Sequence, residues 1–492
     1  MSTLPVDIYS VAAVREIDRT AIDDQGIPGY TLMTRAGAAA VSEAQAYFPD
    51  AKRWQVVCGA GNNAGDGYVV ARLAADEGIV VSVVALVDPT ALKGDAATAY
   101  NDFAASGGVV MPWAGQLDPE ADLVVDGLLG SGLERDVEGE FALAVAAINS
   151  HEAGVLALDI PTGIHGDTGR VMGFAVRADL TVTFVGLKAG LYLGDGPDYS
   201  GAIAFAGLGV PPQCRKNAKA AFRRIDDDRM RRTLAPRRRA AHKGDFGHVL
   251  VVGGGPGMPG AVRLCGEAAL RTGAGLVSLA THPQHASMIV ASRPELMSHG
   301  IDSVEQLEPL LEKADVVAFG PGLGRSEWAA ELYARIAGDE RPSVWDADAL
   351  NWLADTPQAM ANRIITPHPG EAARLLGSDT AAVQAGRSKA LADLSERYGG
   401  VAVLKGSGTL VSSSSGAAWL CTAGNPGMAS PGMGDVLTGI IAALLAQGLA
   451  PEDAAAVGVT AHAQAGDSAA CDGERGLIAS DLLDALRGIV NP

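Results

Sequence analysis

Aromatic side chains are scarce in this 492-residue chain, at 5% of its residues, and it has only five cysteines: Cys58, Cys214, Cys265, Cys421 and Cys471. The cysteines are dispersed and odd in number, without C-x-x-C spacing. That argues against a disulfide framework or a zinc site and for a reduced compartment. No uninterrupted apolar run is long enough to cross a bilayer; IIAALLAQGLA from Ile440 reads as a buried helix instead. The opening MSTLPVDIYSVAAVREIDRT has neither signal-peptide nor anchor pattern, so a cytoplasmic location is expected, with no membrane partner. Positive charge is also short. There are 38 Lys and Arg against 57 Asp and Glu, a formal net charge of −19, which argues against nucleic acid as the main partner.

What is abundant is Gly, at 62 residues, within a chain that is 48% hydrophobic. That composition suits an α/β protein with tight strand-to-helix turns, and the length suits about two to four domains. The chain alternates short Val- and Leu-rich runs, bounded by Gly, Asp or Pro, with helical stretches. RWQVVCGAG, VVSVVALV, ADLVVDGLLG, VLALDIPTG and LTVTFVG are predicted strands of a first half. HVLVVGG, LVSLAT, VVAFGPG, SVWDADA, IITPH and VAVLKG are those of a second. Between the halves, Arg215 to Lys243 holds about a third of all the Lys and Arg, and reads as a linker with an entry segment. The expected plan is residues 1–214, a basic segment 215–242, and residues 243–492. Each flanking part would be doubly wound, with its ligand site at the carboxyl ends of its strands.

In the first half, CGAGNNAGDGYVVAR from Cys58 follows a predicted strand. Asn62 and Asn63 occupy the turn, so this is not the G-x-G-x-x-G dinucleotide pattern. Asp126 ends a second strand in VVDGLLGSGLERD, Asp159 and Thr162 end a third in ALDIPTGIHGDTG, and Lys188 follows in FVGLKAGL. Any one Asp here would serve as a helix cap. Together, Asn, Asp and Thr oxygens from separate strands suit a hard cation, potassium included, and glycine N–H groups suit a pyrophosphate.

GNNAGDG, DGLLGSGL, DIPTGIHGDTG and FVGLKAGL together resemble the N-terminal YjeF family, the NAD(P)H-hydrate epimerases, over about the first 210 residues. The resemblance implies a Rossmann-like fold and a potassium ion at Asn63, Asp126 and Thr162. It implies substrate contacts at Asn62, Asn63, Ala64, Gly65 and Asp66, at Gly130, Ser131, Gly132, Leu133, Glu134, Arg135 and Asp136, and at Asp159. Asp159 is the expected proton-transfer group, with Lys188 as an alternative. Ala64 departs from the family's usual second glycine, and its methyl would crowd a phosphate if the backbone there required φ > 0.

In the second half, KGSGT from Lys405 follows an apolar run, and GNPGMASPGMGDVLTG from Gly424 sets several glycines around Asp435 before an apolar helix. Backbone N–H groups and a helix N-terminus attract phosphate, whereas an Asp repels it unless it takes part in the chemistry. The pattern resembles the GxGD anion hole of ribokinase-like enzymes, in which the Asp takes a proton from a substrate hydroxyl. With GPGLG from Gly320, DADALN from Asp346 and TPHPGE from Thr366, residues from about 225 to 490 resemble the ADP-dependent NAD(P)H-hydrate dehydratases of ribokinase-like fold. This implies substrate contacts at Ala261, Gly322, His368 and Asp435, with Asp435 as the base. It implies nucleotide contacts at Lys405, Gly406, Ser407, Gly408, Thr409 and Gly434, and ADP as co-substrate with magnesium. Ser430 and Pro431 stand where many relatives have Thr and Gly. Asp346 and Asp348 read equally as a helix cap or as carboxylates near a metal.

The two resemblances together imply a bifunctional enzyme for hydrated NADH and NADPH, whose partners would be these small molecules, ADP and further copies of the chain in a homo-oligomer. The alternatives are a ribokinase-like small-molecule kinase with an N-terminal nucleotide-binding regulatory domain, and an N-terminal half that is a non-catalytic nucleotide sensor.

Overall fold

β-Branched residues lose little conformational freedom in a pleated strand, and a strand covered on both faces can be apolar throughout. The run Leu123–Gly127 is such a strand, buried at every position. The structure, a computed structural model, describes residues 4–414 and 416–492. It divides into two units, Met1–Arg223 and Arg224–Pro492.

In the first unit, seven strands form one sheet: Arg53–Cys58 (β1), Val80–Ala85 (β2), Val110–Pro112 (β3), Leu123–Gly127 (β4), Gly154–Leu158 (β5), Leu180–Phe184 (β6) and Ala202–Ala206 (β7). All pairings are parallel and the order is β3-β2-β1-β4-β5-β6-β7. The order reverses between β1 and β4, which opens a crevice beyond their carboxyl ends. The loops there touch closely: a Cβ on Gly59 would lie 2.1 Å from the Leu128 carbonyl oxygen, so only glycine fits. Helix α1 (Val11–Asp23) starts at Ser10, whose side chain accepts from the Ala13 N–H, and it buries Val14, Ile17 and Ala21. Helix α2 (Gly29–Tyr47) and helix α3 (Asn62–Asp76) pack beside it around the same core. Asp7–Tyr9 pairs with Leu187–Lys188 and, antiparallel, with Phe222–Arg223.

The second unit's sheet runs through His248–Val252 (β8), Leu276–Thr281 (β9), Met297–Gly300 (β10), Val316–Phe319 (β11), Ser343–Trp345 (β12), Arg363–Ile365 (β13), Val401–Leu404 (β14), Leu410–Val411 (β15) and Ala418–Leu420 (β16). Its order is β10-β9-β8-β11-β12-β13-β14-β15-β16; the pairings are parallel as far as β14, then antiparallel. Helix α4 (Pro259–Thr272), α5 (Pro369–Leu376), α6 (Arg387–Tyr398) and α7 (Met433–Ala446) surround it. The apolar run from Ile440 lies in α7, which is buried along nearly its whole length. A Cβ on Gly439 would lie 2.0 Å from the Cys265 carbonyl oxygen, so α7 crosses α4 with backbones in close approach.

The basic segment 215–242 is partly structured. Phe222–Arg223 is a strand of the first unit, while Asp226 caps the helix Asp227–Thr233, whose Met230 enters the core of the second. Among the described residues no helix is long and apolar enough to cross a membrane.

Candidate active sites

A cavity of about 670 Å³ opens at the carboxyl ends of the first unit's central strands, walled also by α1 and α2. Asn62, Asn63, Asp66, Gly130, Ser131, Gly132, Leu133, Glu134, Arg135, Asp159 and Lys188 line it. Helical phase explains which motif residues do not. Asn62, Asn63 and Asp66 share one face of α3, whereas the Ala64 methyl is fully buried in the core and a Cβ on Gly65 would meet Met33 and Ala96. Ala64 has no positive φ, so the crowding expected of its methyl does not arise. Asp136 is exposed, turned towards Gly173 rather than into the cavity.

Asp126 and Thr162 lie behind this wall, both fully buried. The Asp126 carboxylate accepts from the Thr162 N–H (2.8 Å), the Thr162 hydroxyl (2.7 Å) and the Leu128 N–H (3.2 Å). Burial pushes its pKa up to about 6, partly offset by these hydrogen bonds, and among the described residues no cationic side chain balances it. Asn63 is buried beside Gly130, and its Nδ2 has no hydrogen-bond partner among the described residues. The set is a buried carboxylate lacking a counter-charge, with an amide and a hydroxyl in the same shell.

Asp159 adopts φ +68 and Val185, also in the cavity wall, φ +65. Such backbone strain in non-glycine residues persists where surrounding contacts enforce it, commonly at functional sites. The Asp159 carboxylate accepts from the Phe184 N–H (3.3 Å) and from the Lys188 ammonium, which also donates to the Thr183 hydroxyl (3.1 Å) and the Phe184 carbonyl (2.8 Å). Lys188 is thereby fixed and buried, aimed at Asp159.

In the second unit, Asp346 is the hub. Its Oδ1 accepts from Lys405 Nζ at 2.7 Å and its Oδ2 from the Thr438 hydroxyl at 3.0 Å. Burial is the largest influence on Asp346 and raises its pKa, but the Lys405 charge and hydrogen bonds more than offset it, so the carboxyl stays below its ordinary value. Lys405 Nζ also lies 3.8 Å from Glu371 Oε2, and a Cβ on Gly434 would lie 3.1 Å from Asp346 Oδ2 and 3.3 Å from Lys405 Nζ. Gly434 thus keeps a space open over the pair. Asp435 stands in the first turn of α7, after Gly432 at φ +90. Burial and then the neighbouring Asp346 push its pKa up to about 7, with Lys405 pulling the other way.

His368 caps α5: its Nδ1 accepts from the Gly370 N–H (3.0 Å), and Glu371 Oε2 accepts from the His368 N–H (2.8 Å). The imidazole is largely exposed, its Nε2 lies 3.5 Å from Glu371 Oε1, and burial of the remainder lowers its pKa. Ala261 and Gly322 adjoin each other, since a Cβ on Gly322 would lie 3.0 Å from the Ala261 Cβ. Lys405–Thr409 is the hairpin turn joining β14 to β15, with Gly406 at φ +137 and Gly408 at φ +65. Gly406 and Ser407 are exposed, while the Lys405 side chain turns inward to Asp346 and its N–H donates to the Pro367 carbonyl (2.9 Å).

The comparisons match both units. Residues 249–487 fit the family model described as NAD(P)H-hydrate dehydratase, and residues 29–190 the one described as YjeF-related protein N-terminus. A bifunctional NAD(P)H-hydrate repair enzyme from Coxiella burnetii is 47% identical over 486 residues, 99% of each chain. This chain belongs to the bifunctional NAD(P)H-hydrate repair enzymes. The Escherichia coli member is 44% identical over 491 residues, 100% of this chain and 95% of that one. A ribokinase-like superfamily protein from Enterococcus faecalis superposes with a TM-score of 0.51 at 27% identity, over 55% of this chain and 98% of that chain. The two doubly wound, Rossmann-like and ribokinase-like units expected of such a repair enzyme are those observed.

Several residues at these sites were not among those expected. Asp18, on α1, lines the first cavity. Burial pushes its pKa up to about 6; Lys188 lowers it and Asp159 raises it. Nothing in VREIDRTAID distinguishes it from an ordinary residue of an amphipathic helix. Glu371, whose pKa burial raises to about 7, was visible only as part of TPHPGE.

Proposed function

We propose that the first unit interconverts the R and S hydrates of NADH and NADPH, and that the second uses ADP to return the S hydrate to NAD(P)H, releasing AMP and phosphate. Family membership supports the overall activity; the observation that carries the division of labour is one polar constellation at the strand ends of each unit.

In the second unit, Asp435 takes the proton of the ring hydroxyl as its oxygen attacks the β-phosphorus of ADP, and AMP leaves. The ring nitrogen's lone pair then expels the phosphate that replaced the poor hydroxide leaving group, and loss of a proton from the adjacent carbon restores the double bond. The α7 N-terminus and the Gly434 N–H face the transferring phosphoryl group. Lys405, held charged by Asp346, contributes a positive charge beneath it. Nucleotide phosphates rest on the Lys405–Thr409 turn, where the Lys405 N–H is taken by the Pro367 carbonyl and the N–H groups from Gly406 onward remain for the phosphates, with substrate against Ala261, Gly322 and His368. Among the described residues no group of three or more His, Cys, Asp or Glu side chains could hold a metal ion, which suits magnesium carried mainly on nucleotide phosphates and water.

In the first unit, interconversion at a hydroxyl-bearing ring carbon requires one group to protonate the departing hydroxyl and another to deprotonate water arriving on the opposite face. Asp159 is the base, and Asp18, whose pKa of about 6 leaves a protonated fraction near neutrality, is the acid. Lys188 orients Asp159. Potassium fits at Asn63, Asp126 and Thr162 because Asp126 is buried without a counter-charge; bound there, it would supply that charge and order the Gly130 loop. We place the protein in the cytoplasm, as a homo-oligomer.

The test is to mix the protein with hydrated NADH and ADP and follow near-ultraviolet absorbance. Regained absorbance is expected, faster with ADP than with ATP. A stable phosphorylated alcohol would instead support the kinase reading, and a clear preference for ATP would overturn the nucleotide assignment.

The units are expected to act separately. A chain divided between Arg223 and Arg224 leaves Phe222–Arg223 paired with Asp7–Tyr9 and Met230 in the second core. Two folded pieces, one active on R hydrate and one on S hydrate, are expected by circular dichroism and assay. Insoluble or inactive pieces would contradict this.

A further inference from the structure

Arg387 opens α6 with only 6% of its surface exposed. Its guanidinium lies under the Lys405–Thr409 turn: Nη2 donates to the Leu404 (3.2 Å) and Gly408 (3.0 Å) carbonyls, and Nη1 to the Lys405 carbonyl (3.3 Å) and to Gln384 Oε1 (3.1 Å). A Cβ on Gly406 would lie 2.9 Å from Nη1, so the turn sits directly on the fork. Burial alone depresses the guanidinium pKa, to about 10, and among the described residues no carboxylate offsets it.

A buried cation is ordinarily paired, because its desolvation is costly. Here the partners are neutral oxygens: the Gln384 side-chain amide and three backbone carbonyls of the turn. Of these, the carbonyls of Lys405 and Gly408 share peptide planes with the Gly406 and Thr409 N–H groups, while the Lys405 N–H donates to the Pro367 carbonyl (2.9 Å). Drawing the Lys405 and Gly408 carbonyls inward onto one rigid fork fixes those peptide planes with the Gly406 and Thr409 N–H groups on the opposite side. The unbalanced charge also adds to the potential above the turn, where low surrounding dielectric weakens its screening.

We propose that Arg387 is a positioning residue for the nucleotide: it presets the Lys405–Thr409 turn, and its charge finds its counter-ion in the nucleoside diphosphate. The proposal rests on the reading that this turn holds the phosphates. Arg363 supplies a contrast. It too is buried, stacks on Trp345 at 4.6 Å and donates to the Tyr398 carbonyl (3.3 Å), but it lies at the amino end of β13, the end opposite the site.

The test uses the full-length protein, with ADP titrated by calorimetry and steady-state rates on S hydrate. Arg387→Gln is expected to raise the Kd and KM for ADP by about 10–100-fold with kcat at saturating ADP little changed. Arg387→Lys keeps the charge but cannot span three carbonyls, so it should recover only part of the affinity. Arg363→Met should lower the melting temperature while leaving the ADP Kd unchanged. Ser407→Glu, which places an anion on the exposed turn, should weaken ADP whatever Arg387 does. If Ser407→Glu loses ADP while both Arg387 variants bind it as the unaltered protein does, Arg387 is only a structural brace and the proposal is overturned. If Ser407→Glu also binds ADP normally, the placement of the nucleotide on this turn is what fails. Should Arg387→Gln not fold, the Kd of Arg387→Lys decides alone.

Discussion

Asp435→Asn is expected to reduce recovery of NAD(P)H from the S hydrate by about 10²–10⁴-fold, the usual cost of losing a general base. Asparagine preserves shape and burial, so ADP should still bind with affinity measurable by calorimetry. The pH profile supplies a second signature. A carboxyl raised to about 7 is protonated below that pH and able to accept a proton above it, so kcat/KM should rise through about pH 7. That limb should be missing from whatever rate the variant retains. A folded-state pKa above the unfolded value also means that stability declines as pH rises towards and through 7. The Asn variant, which cannot ionise, should therefore melt no lower than the parent at pH 8. Near-normal turnover in Asp435→Asn would remove Asp435 from the chemistry.

Asp159→Ala is expected to stop conversion of the R hydrate to the S hydrate while leaving the rate on pure S hydrate unchanged. The substitution removes the carboxylate that Lys188 addresses, and it leaves Lys188 buried with only the Thr183 hydroxyl and the Phe184 carbonyl. Losing the carboxylate that bonds a buried ammonium directly is costly, so Asp159→Asn, which retains an acceptor, serves as the companion variant. Both should lose R-to-S conversion, and only the alanine variant should lose much stability. If rates on both hydrates fell together in a folded protein, the division of labour between the units would be wrong. Asp18→Asn should impair the same step with a different pH dependence, since the acid rather than the base is removed.

Much of this was legible in the residues. Runs such as VVDGLLG and VAVLKG announced buried parallel strands because few other structures accept continuous β-branched residues closed by Gly or Asp. Strand ends then located the polar motifs, since doubly wound sheets bind ligands there. Helical phase was harder to read. GNNAGDG gives no direct sign that Ala64 and Gly65 face the core and α2, because that depends on where the helix begins, and it begins at Asn62. Contacts made across long sequence intervals were not legible at all. Asp346 could have been a cap or a metal ligand until its partnership with Lys405 and Thr438 was seen. Asp18 and Arg387 lie in ordinary helical sequence, and only packing gives either of them a role.

The pairing of Asp7–Tyr9 with Phe222–Arg223 carries a consequence for how the protein is made. Ile8, which leaves the ribosome about 214 residues before Phe222, faces it and is fully buried in the finished structure. At about 5–20 residues per second, it waits roughly ten to forty seconds for that partner to be synthesised. Until then an apolar amino-terminal strand lacks one of its neighbours, with α1 and its cavity residues Arg15 and Asp18 directly behind it. The wall that carries Asp18 would therefore be among the last parts of the first unit to settle, after the parallel sheet that carries Asp159. During synthesis the nascent protein would hold the proposed base, Asp159, before the proposed acid, Asp18, is anchored, and the first unit would gain its activity only as the chain crosses into the second.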